Sequence, residues 1–261
     1  MSCTIAIAGK GGTGKTTISS LMVRFLREKN KGSVLAIDAD PNSNLGDVLG
    51  ISASENIGAI IDEIAKNIDK IPAGMTKNRY IEYRVQSAIE ESIGLDLLSM
   101  GRPEGPGCYC YANNVLRGII QKISGDYDFV VIDNEAGLEH LSRRTTRRAD
   151  CMFIISDATG VGINSAKRIY SLIKELNIDI KKYVFIINRV TESTDKNDLI
   201  KHFSDISNEG IELVPHDTQI LEYATNNRAI MDLSNESEAL KSTFNIMKKH
   251  IPSRVGLPNT F

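Results

Sequence analysis

The chain carries almost no net charge: 31 Lys and Arg against 33 Asp and Glu leave −2 across 261 residues. The two signs are interspersed, which argues against a nucleic-acid coat and against a surface built for anionic lipid. No apolar run approaches the roughly 20 residues that span a bilayer. The first residues, Met-Ser-Cys-Thr-Ile, run straight into a strand pattern with no signal-peptide character. These absences predict a cytoplasmic protein with no nucleic-acid partner and no membrane partner. Cysteine is scarce as well, with four residues at Cys3, Cys108, Cys110 and Cys151, and in a cytosolic chain they are not expected to form structural disulfides. Cys3 and Cys151 each open an apolar strand and read as small buried hydrophobes. No internal repeat or low-complexity linker stands out.

What is present is alternation. Strand-like apolar runs occur at 4–8, 33–38, 95–99, 128–133, 151–156, 183–188 and 211–214. Helical periodicity occupies 16–29, 55–66, 79–91, 112–123, 138–148, 162–176, 195–204, 218–227 and 236–250. Several strands are nearly continuous hydrophobic runs, as in Phe129-Val130-Val131-Ile132, which indicates burial on both faces. Alternating βα order predicts an α/β fold, a doubly wound and mostly parallel sheet with helices on both faces, in one domain over 1–261. Residues 67–107, rich in Pro and Gly, read as an irregular insertion.

Gly9-Lys10-Gly11-Gly12-Thr13-Gly14-Lys15-Thr16 fits the phosphate-binding pattern G-x-x-x-x-G-K-[ST] and is followed by Thr17. Glycines let backbone N–H groups close around phosphate oxygens where a side chain would collide. Lys15 is expected to reach the β- and γ-phosphates, and the Thr16 hydroxyl to ligate Mg²⁺. The strand before this loop and the helix after it place an anion at a helix N-terminus. The pattern therefore predicts ATP and Mg²⁺ as cofactors of a phosphate-loop NTPase.

Other pieces of a nucleotide site lie at strand ends. Asp38 and Asp40, in Ala36-Ile37-Asp38-Ala39-Asp40-Pro41, leave the second strand as two carboxylates. One could orient the attacking water and the other hold Mg²⁺ through its water shell. Asp133 ends an apolar strand as the second acidic element near Mg²⁺, and Gly137 could bring a backbone amide to the γ-phosphate. Asn188 could pair with adenine N6 and N7 through its acceptor and donor together. Pro215-His216-Asp217 could flank the base, with Pro215 and Asp217 as the contacts.

Lys10 within G-K-G-G-x-G-K-T-T resembles the deviant Walker A loop of the MinD/ParA/nitrogenase-iron-protein class. Asp38-Ala39-Asp40-Pro41, Asp133, Asn188 and Pro215-His216-Asp217 follow in that family's order. The resemblance implies a homodimer that holds ATP between subunits, with Lys10 crossing to the partner's phosphates. It implies Lys10, Lys15 and Asp40 as the catalytic set.

Gly107-Cys108-Tyr109-Cys110 is the discriminating element. Cysteines at i and i+2 of an extended segment face the same way and can meet one ion. Two thiolates leave a tetrahedral Zn²⁺ half-coordinated, and a two-fold dimer would complete four sulfur ligands. Ni²⁺, which often prefers a square-planar arrangement, could use the same sulfurs. With Glu135-Ala136-Gly137-Leu138-Glu139-His140-Leu141-Ser142-Arg143, the motif is similar to the CooC/AcsF-type accessory ATPases. That similarity implies a partner among nickel-dependent carbon monoxide dehydrogenase and acetyl-CoA synthase. Arg143, Arg144, Arg147 and Arg148 form a dense basic segment that could meet an acidic partner or simply be a solvated helix face. Another reading is a MinD/ParA-like positioning ATPase acting on membrane or DNA, for which the proline-interrupted Ile246–Pro252 end is a poor anchor. An iron–sulfur reductase is disfavoured, since Asp133-Asn134-Glu135-Ala136 holds no cysteine.

Overall fold

The computed structural model describes residues 2–29, 31–102, 108–123, 125–137, 148–206 and 210–251, without the side chains of 108–110, 112 and 113. Eight strands form one sheet: β1 (Cys3–Gly9), β2 (Val34–Ala39), β3 (Glu90–Ser92), β4 (Leu95–Ser99), β5 (Phe129–Asn134), β6 (Arg148–Asp157), β7 (Asp179–Val190) and β8 (Ile211–Pro215). Their order across the sheet is β3-β4-β2-β5-β1-β6-β7-β8. Every pairing is parallel except the β3–β4 hairpin. All seven strands expected from the apolar runs are present, and the fold class is the doubly wound α/β sheet they implied.

Strand periodicity explains how both faces are covered. Ile5 and Ile7 of β1, Val34 and Ala36 of β2, Phe129 and Val131 of β5, and Phe153 and Ile155 of β6 share one cluster. It packs under α1 (Lys15–Glu28), α2 (Leu45–Leu49) and α9 (Glu238–His250). The alternate residues face the other way. Leu35, Ile37, Val130 and Ile132 meet α3 (Ile57–Lys66), α4 (Lys77–Ser87) and α5 (Cys108–Ile123). Ala6, Ala8, Met152 and Ile154 meet α6 (Gly160–Glu175) and α7 (Lys196–Phe203). The remaining helix, α8 (Thr218–Thr225), follows β8. Side-chain caps begin several helices: Asn56 accepts Ala59 N–H, Thr76 accepts Arg79 N–H, and Ser237 accepts Leu240 N–H. The N-cap of α1 is Gly14, which has no side chain to offer, so its first amides stay open to a ligand.

Three expectations are corrected, and a fourth lies almost wholly outside the described residues. The stretch 67–107 is not simply irregular: its described part builds α4 and a β3–β4 hairpin turned at Gly94 (φ 72°) that extends the sheet edge. The helix expected over 79–91 stops at Ser87, because Glu90–Ser92 pairs with Leu95–Leu97. The helix expected over 138–148 lies outside the described residues up to 147, and Arg148 opens β6. Arg143, Arg144 and Arg147 of the basic segment are likewise outside the described residues. Finally, Cys108 and Cys110 do not lie on an extended segment. They sit in the first turn of α5, whose Leu116, Ile119 and Ile123 supply the buried stripe. Helical residues turn by about 100° each, so positions two apart belong to different faces.

Candidate functional site

The parallel strands β1, β2, β5, β6 and β7 end together, and the loop after β1 sits in their midst. Gly9 closes β1 where a Cβ would lie 2.5 Å from the Ile155 carbonyl oxygen, so no other residue fits there. Gly12 (φ 82°) and Gly14 (φ 89°) take left-handed backbone that bends the chain into a cradle. Three donors converge on the Lys10 carbonyl: Thr13 Oγ1 at 2.8 Å, Thr13 N–H at 3.4 Å and Lys15 Nζ at 3.4 Å. The Lys10 side chain itself is exposed, and Gly11 lies beside it on the open rim.

Lys15 is buried, with 7% of its surface exposed. Burial lowers its pKa, and Asp133, Asp40 and Glu135 counteract that by attraction. Asp133, at the end of β5, is 1% exposed and accepts Ser19 Oγ at 3.0 Å. Burial pushes its pKa up to about 6 against hydrogen bonds from Thr16 and Ser19 and the charge of Lys15. Thr16, Lys15 and Asp133 therefore meet as the sequence implied. A hydroxyl and carboxylates beside a buried ammonium form a donor set that fits Mg²⁺ and a triphosphate.

The two carboxylates at the end of β2 have separate partners. Asp40 is half-buried; its Oδ1 accepts both the Asn42 N–H and Asn42 Nδ2 at 2.9 Å. Asp38 is fully buried, close enough to Asp133 and Asp40 to feel their charges. Its Oδ2 accepts Leu45 N–H at 2.8 Å, starting α2, and its Oδ1 accepts Asp40 N–H at 3.1 Å. Burial raises its pKa to about 7. Gly137 (φ 91°) donates its N–H to the Gly9 carbonyl at 3.1 Å, so reaching a γ-phosphate requires exchanging that bond.

Beside the cradle lies a cleft of about 280 Å³ lined by Thr17, Asn188, Arg189, Pro215, His216 and Asp217, with Leu221 of α8 at its edge. Pro215 and Asp217 thus flank a cavity of the kind that takes a base. The Asp217 carboxylate is engaged elsewhere: Oδ1 accepts Gln219 N–H at 2.9 Å, while Oδ2 accepts Ser237 Oγ at 2.6 Å and Ala239 N–H at 3.1 Å. It anchors the starts of α8 and α9. Asn188 lines the same cleft while bonding to the backbone. Its Nδ2 donates to the Thr13 carbonyl at 2.9 Å and its Oδ1 accepts Arg189 N–H at 2.9 Å, so both amide functions serve the backbone.

Sequence reasoning missed Ser19 and Arg189. Ser19 had a readable signal, since it lies one turn after Lys15 on α1, on the side that meets β5. Arg189 had none: its φ of 58° is rare for arginine, and only tertiary contacts hold it.

Residues 2–186 match the family model described as AAA domain. An uncharacterized ATP-binding protein of Methanocaldococcus jannaschii is 42% identical over 252 residues, 95% of this chain and 98% of its own. The carbon monoxide dehydrogenase accessory protein CooC of Rhodospirillum rubrum is 31% identical over 204 residues, covering 73% of this chain and 76% of its own. Among solved structures, the septum site-determining protein MinD of Pyrococcus horikoshii, complexed with Mg-ADP, superimposes with a TM-score of 0.69 at 20% identity, covering 95% of this chain and 96% of that one. With a complete phosphate cradle and its buried lysine and carboxylate in register, the chain belongs to the MinD/ParA/CooC-type deviant Walker A family and is an ATP-binding ATPase.

Proposed function

We propose that this ATPase is a dimeric, metal-binding maturation factor that assists nickel insertion into carbon monoxide dehydrogenase or acetyl-CoA synthase. The observation that carries the reading is Cys108-Tyr109-Cys110 at the head of α5, in a chain 31% identical to the accessory protein CooC. Two thiols per chain supply half of a tetrahedral set. A second copy is the natural source of the remaining ligands, and a two-fold axis would bring the two α5 heads together. Nickel is cargo in this scheme; Zn²⁺ competes for the same sulfurs.

Within the nucleotide site, Lys15 neutralises charge on the β- and γ-phosphates, and Thr16 with Asp133 holds Mg²⁺ through its hydroxyl and its water shell. Mg²⁺, when bound, supplies charge neutralisation between phosphates. Asp40 is the carboxylate that can turn toward the attacking water once it releases Asn42. Lys10, exposed on the loop rim, is placed to act on a partner's phosphates. Equilibrium titration with Ni²⁺ and with Zn²⁺ tests the metal reading. Wild type should bind one ion per two chains, and a Cys108→Ser/Cys110→Ser variant should bind none at that affinity. Equal stoichiometry in both proteins would refute it.

A further inference from the structure

A second cavity, of about 620 Å³, lies on another side of α8 from the base cleft, and Ala224 lines both. Its walls are α8 and α2, each with the chain that follows it. The size is in the range that holds small organic molecules. The walls meet closely at Gly50, which ends α2 in left-handed backbone (φ 73°). A Cβ there would stand 2.8 Å from the Ala229 Cβ. Val48 and Ile51 from one wall and the ring of Tyr223 from the other supply apolar surface, and all three pack onto the core cluster beneath.

Arg228 is preset at the edge of this space. Its N–H donates to the Tyr223 carbonyl at 2.9 Å, its Nη2 donates to the Tyr223 hydroxyl at 2.9 Å, and its guanidinium carbon lies 4.0 Å from the ring centroid. The hydroxyl in turn donates to the Asp232 carbonyl at 2.7 Å, which fixes the ring. A guanidinium held on its face in this way keeps its remaining N–H edge for an oxyanion. Asp47 lines the same cavity from α2. Among the described residues, no ion pair joins Asp47 to Arg228 or to any other cation. Two opposite charges therefore share one space without neutralising each other. Complementarity calls for a ligand with both signs: a carboxylate for Arg228, an ammonium for Asp47 and an apolar body for Val48, Ile51 and Tyr223. Residues too far apart to pair are bridged by a ligand whose own charges stand apart, as at the two ends of a short peptide.

We propose that this cavity is a second ligand site, separate from the nucleotide site, for a small zwitterion of dipeptide size, with Arg228 binding its carboxylate and Asp47 its ammonium. Calorimetric titration of the full chain with alanyl-phenylalanine tests this. The comparisons are its N-acetyl form, which lacks the ammonium, and its C-terminal amide, which lacks the carboxylate. Wild type should bind the free dipeptide saturably, one molecule per chain, and each blocked form about tenfold more weakly, the size of one charge-assisted contact. Arg228→Gln should weaken the free dipeptide by about tenfold and leave the amide unchanged. Asp47→Asn should weaken the free dipeptide to the same extent and leave the N-acetyl form unchanged. Saturating Mg-ADP should not displace the dipeptide. Absence of saturable binding, equal affinity for the three forms, or displacement by Mg-ADP would each overturn the proposal. If a variant fails to fold, the three ligands on wild type decide by the same criteria.

Discussion

Ser43 Oγ accepts the Gly101 N–H at 3.1 Å, tying the turn after Asp40 to the exit of β4. Ser43 has a φ of 49°, and its N–H donates to the Asp40 carbonyl at 3.0 Å. The neighbouring Met100 N–H donates to the Asp38 carbonyl at 2.8 Å, so the same junction is held twice. Ser43→Ala loses the hydroxyl and keeps a Cβ in left-handed backbone; Ser43→Gly loses the hydroxyl but relieves the backbone. Urea unfolding should show Ser43→Ala less stable than wild type by about 2 kcal/mol and Ser43→Gly by about 1 kcal/mol. A reversed order would show that the backbone strain is absent.

Lys15 is buried against Asp133, and Asp40 and Glu135 also attract it. Lys15→Met fills most of the same volume without charge. ATP binding should fall by a hundredfold or more (roughly 3 kcal/mol), while the ligand-free melting temperature stays close to wild type. Retained ATP affinity would separate the lysine from the phosphates.

Burial holds Asp133 at about 6 and Asp38 at about 7, both above the ordinary 3.8. An acid whose folded pKa is raised keeps its proton better when folded. Its contribution to stability is complete below pH about 4 and is lost as pH rises toward 7. Asp150, Glu212 and Asp217 shift the other way. Their contribution is present above their ordinary values and fades in more acidic solution, outside this window. Without nucleotide or Mg²⁺, stability should therefore decline between pH about 4 and 7 and level off above. Asp133→Asn should flatten that decline and exceed wild type at pH 8 by on the order of 2 kcal/mol. Parallel pH profiles for the two proteins would remove Asp133 as the cause.

Arg24 of α1 is 5% exposed and spans to the chain before α9. Its Nη1 donates to the carbonyls of Ile230 at 2.9 Å and Leu233 at 2.6 Å, its Nη2 to Asn235 Oδ1 at 2.9 Å, and its Nε to Glu28 at 2.5 Å. Arg24→Ala strands several buried acceptors and should cost about 3 kcal/mol or more. Arg24→Lys should not restore it, since one ammonium cannot reproduce the planar fork. Full rescue by lysine in a denaturant titration would contradict this account of the corner.

Much of the fold was legible because burial writes itself into composition. Runs such as Val184-Phe185-Ile186-Ile187 can only be strands covered on both sides, and the glycine loop announces its own curvature. The hairpin strand Glu90–Ser92 was not legible: it is short and polar, and only its pairing with β4 defines it. Helix α2 escaped for a similar reason, as its five residues depend on the buried Asp38 at one end and Gly50 (φ 73°) at the other. At the site, Lys15, Thr16 and Asp133 were found by motif, because chemistry constrains both their type and their place. Asp38 and Asn188 were identified as residues of the site, but their hydrogen bonds to the start of α2 and to the phosphate loop were not legible. A buried carboxylate that caps a helix and one that meets a ligand look alike in one dimension, as do an amide that holds a loop and one that reads adenine. The cysteines show the same limit: spacing i, i+2 implies one face only if the segment is extended, and α5 begins at Cys108.

The account turns on two copies of this chain sharing nucleotide and thiolate-bound metal. Light scattering coupled to size-exclusion chromatography, with Ni²⁺ or Zn²⁺ and a non-hydrolysable ATP analogue added separately and together, measures this directly. With both present, the mass should be twice the 28.7 kDa of one chain, and Cys108→Ser/Cys110→Ser should lose the metal-dependent part. A wild-type protein that stays at one chain's mass with both ligands bound would contradict it.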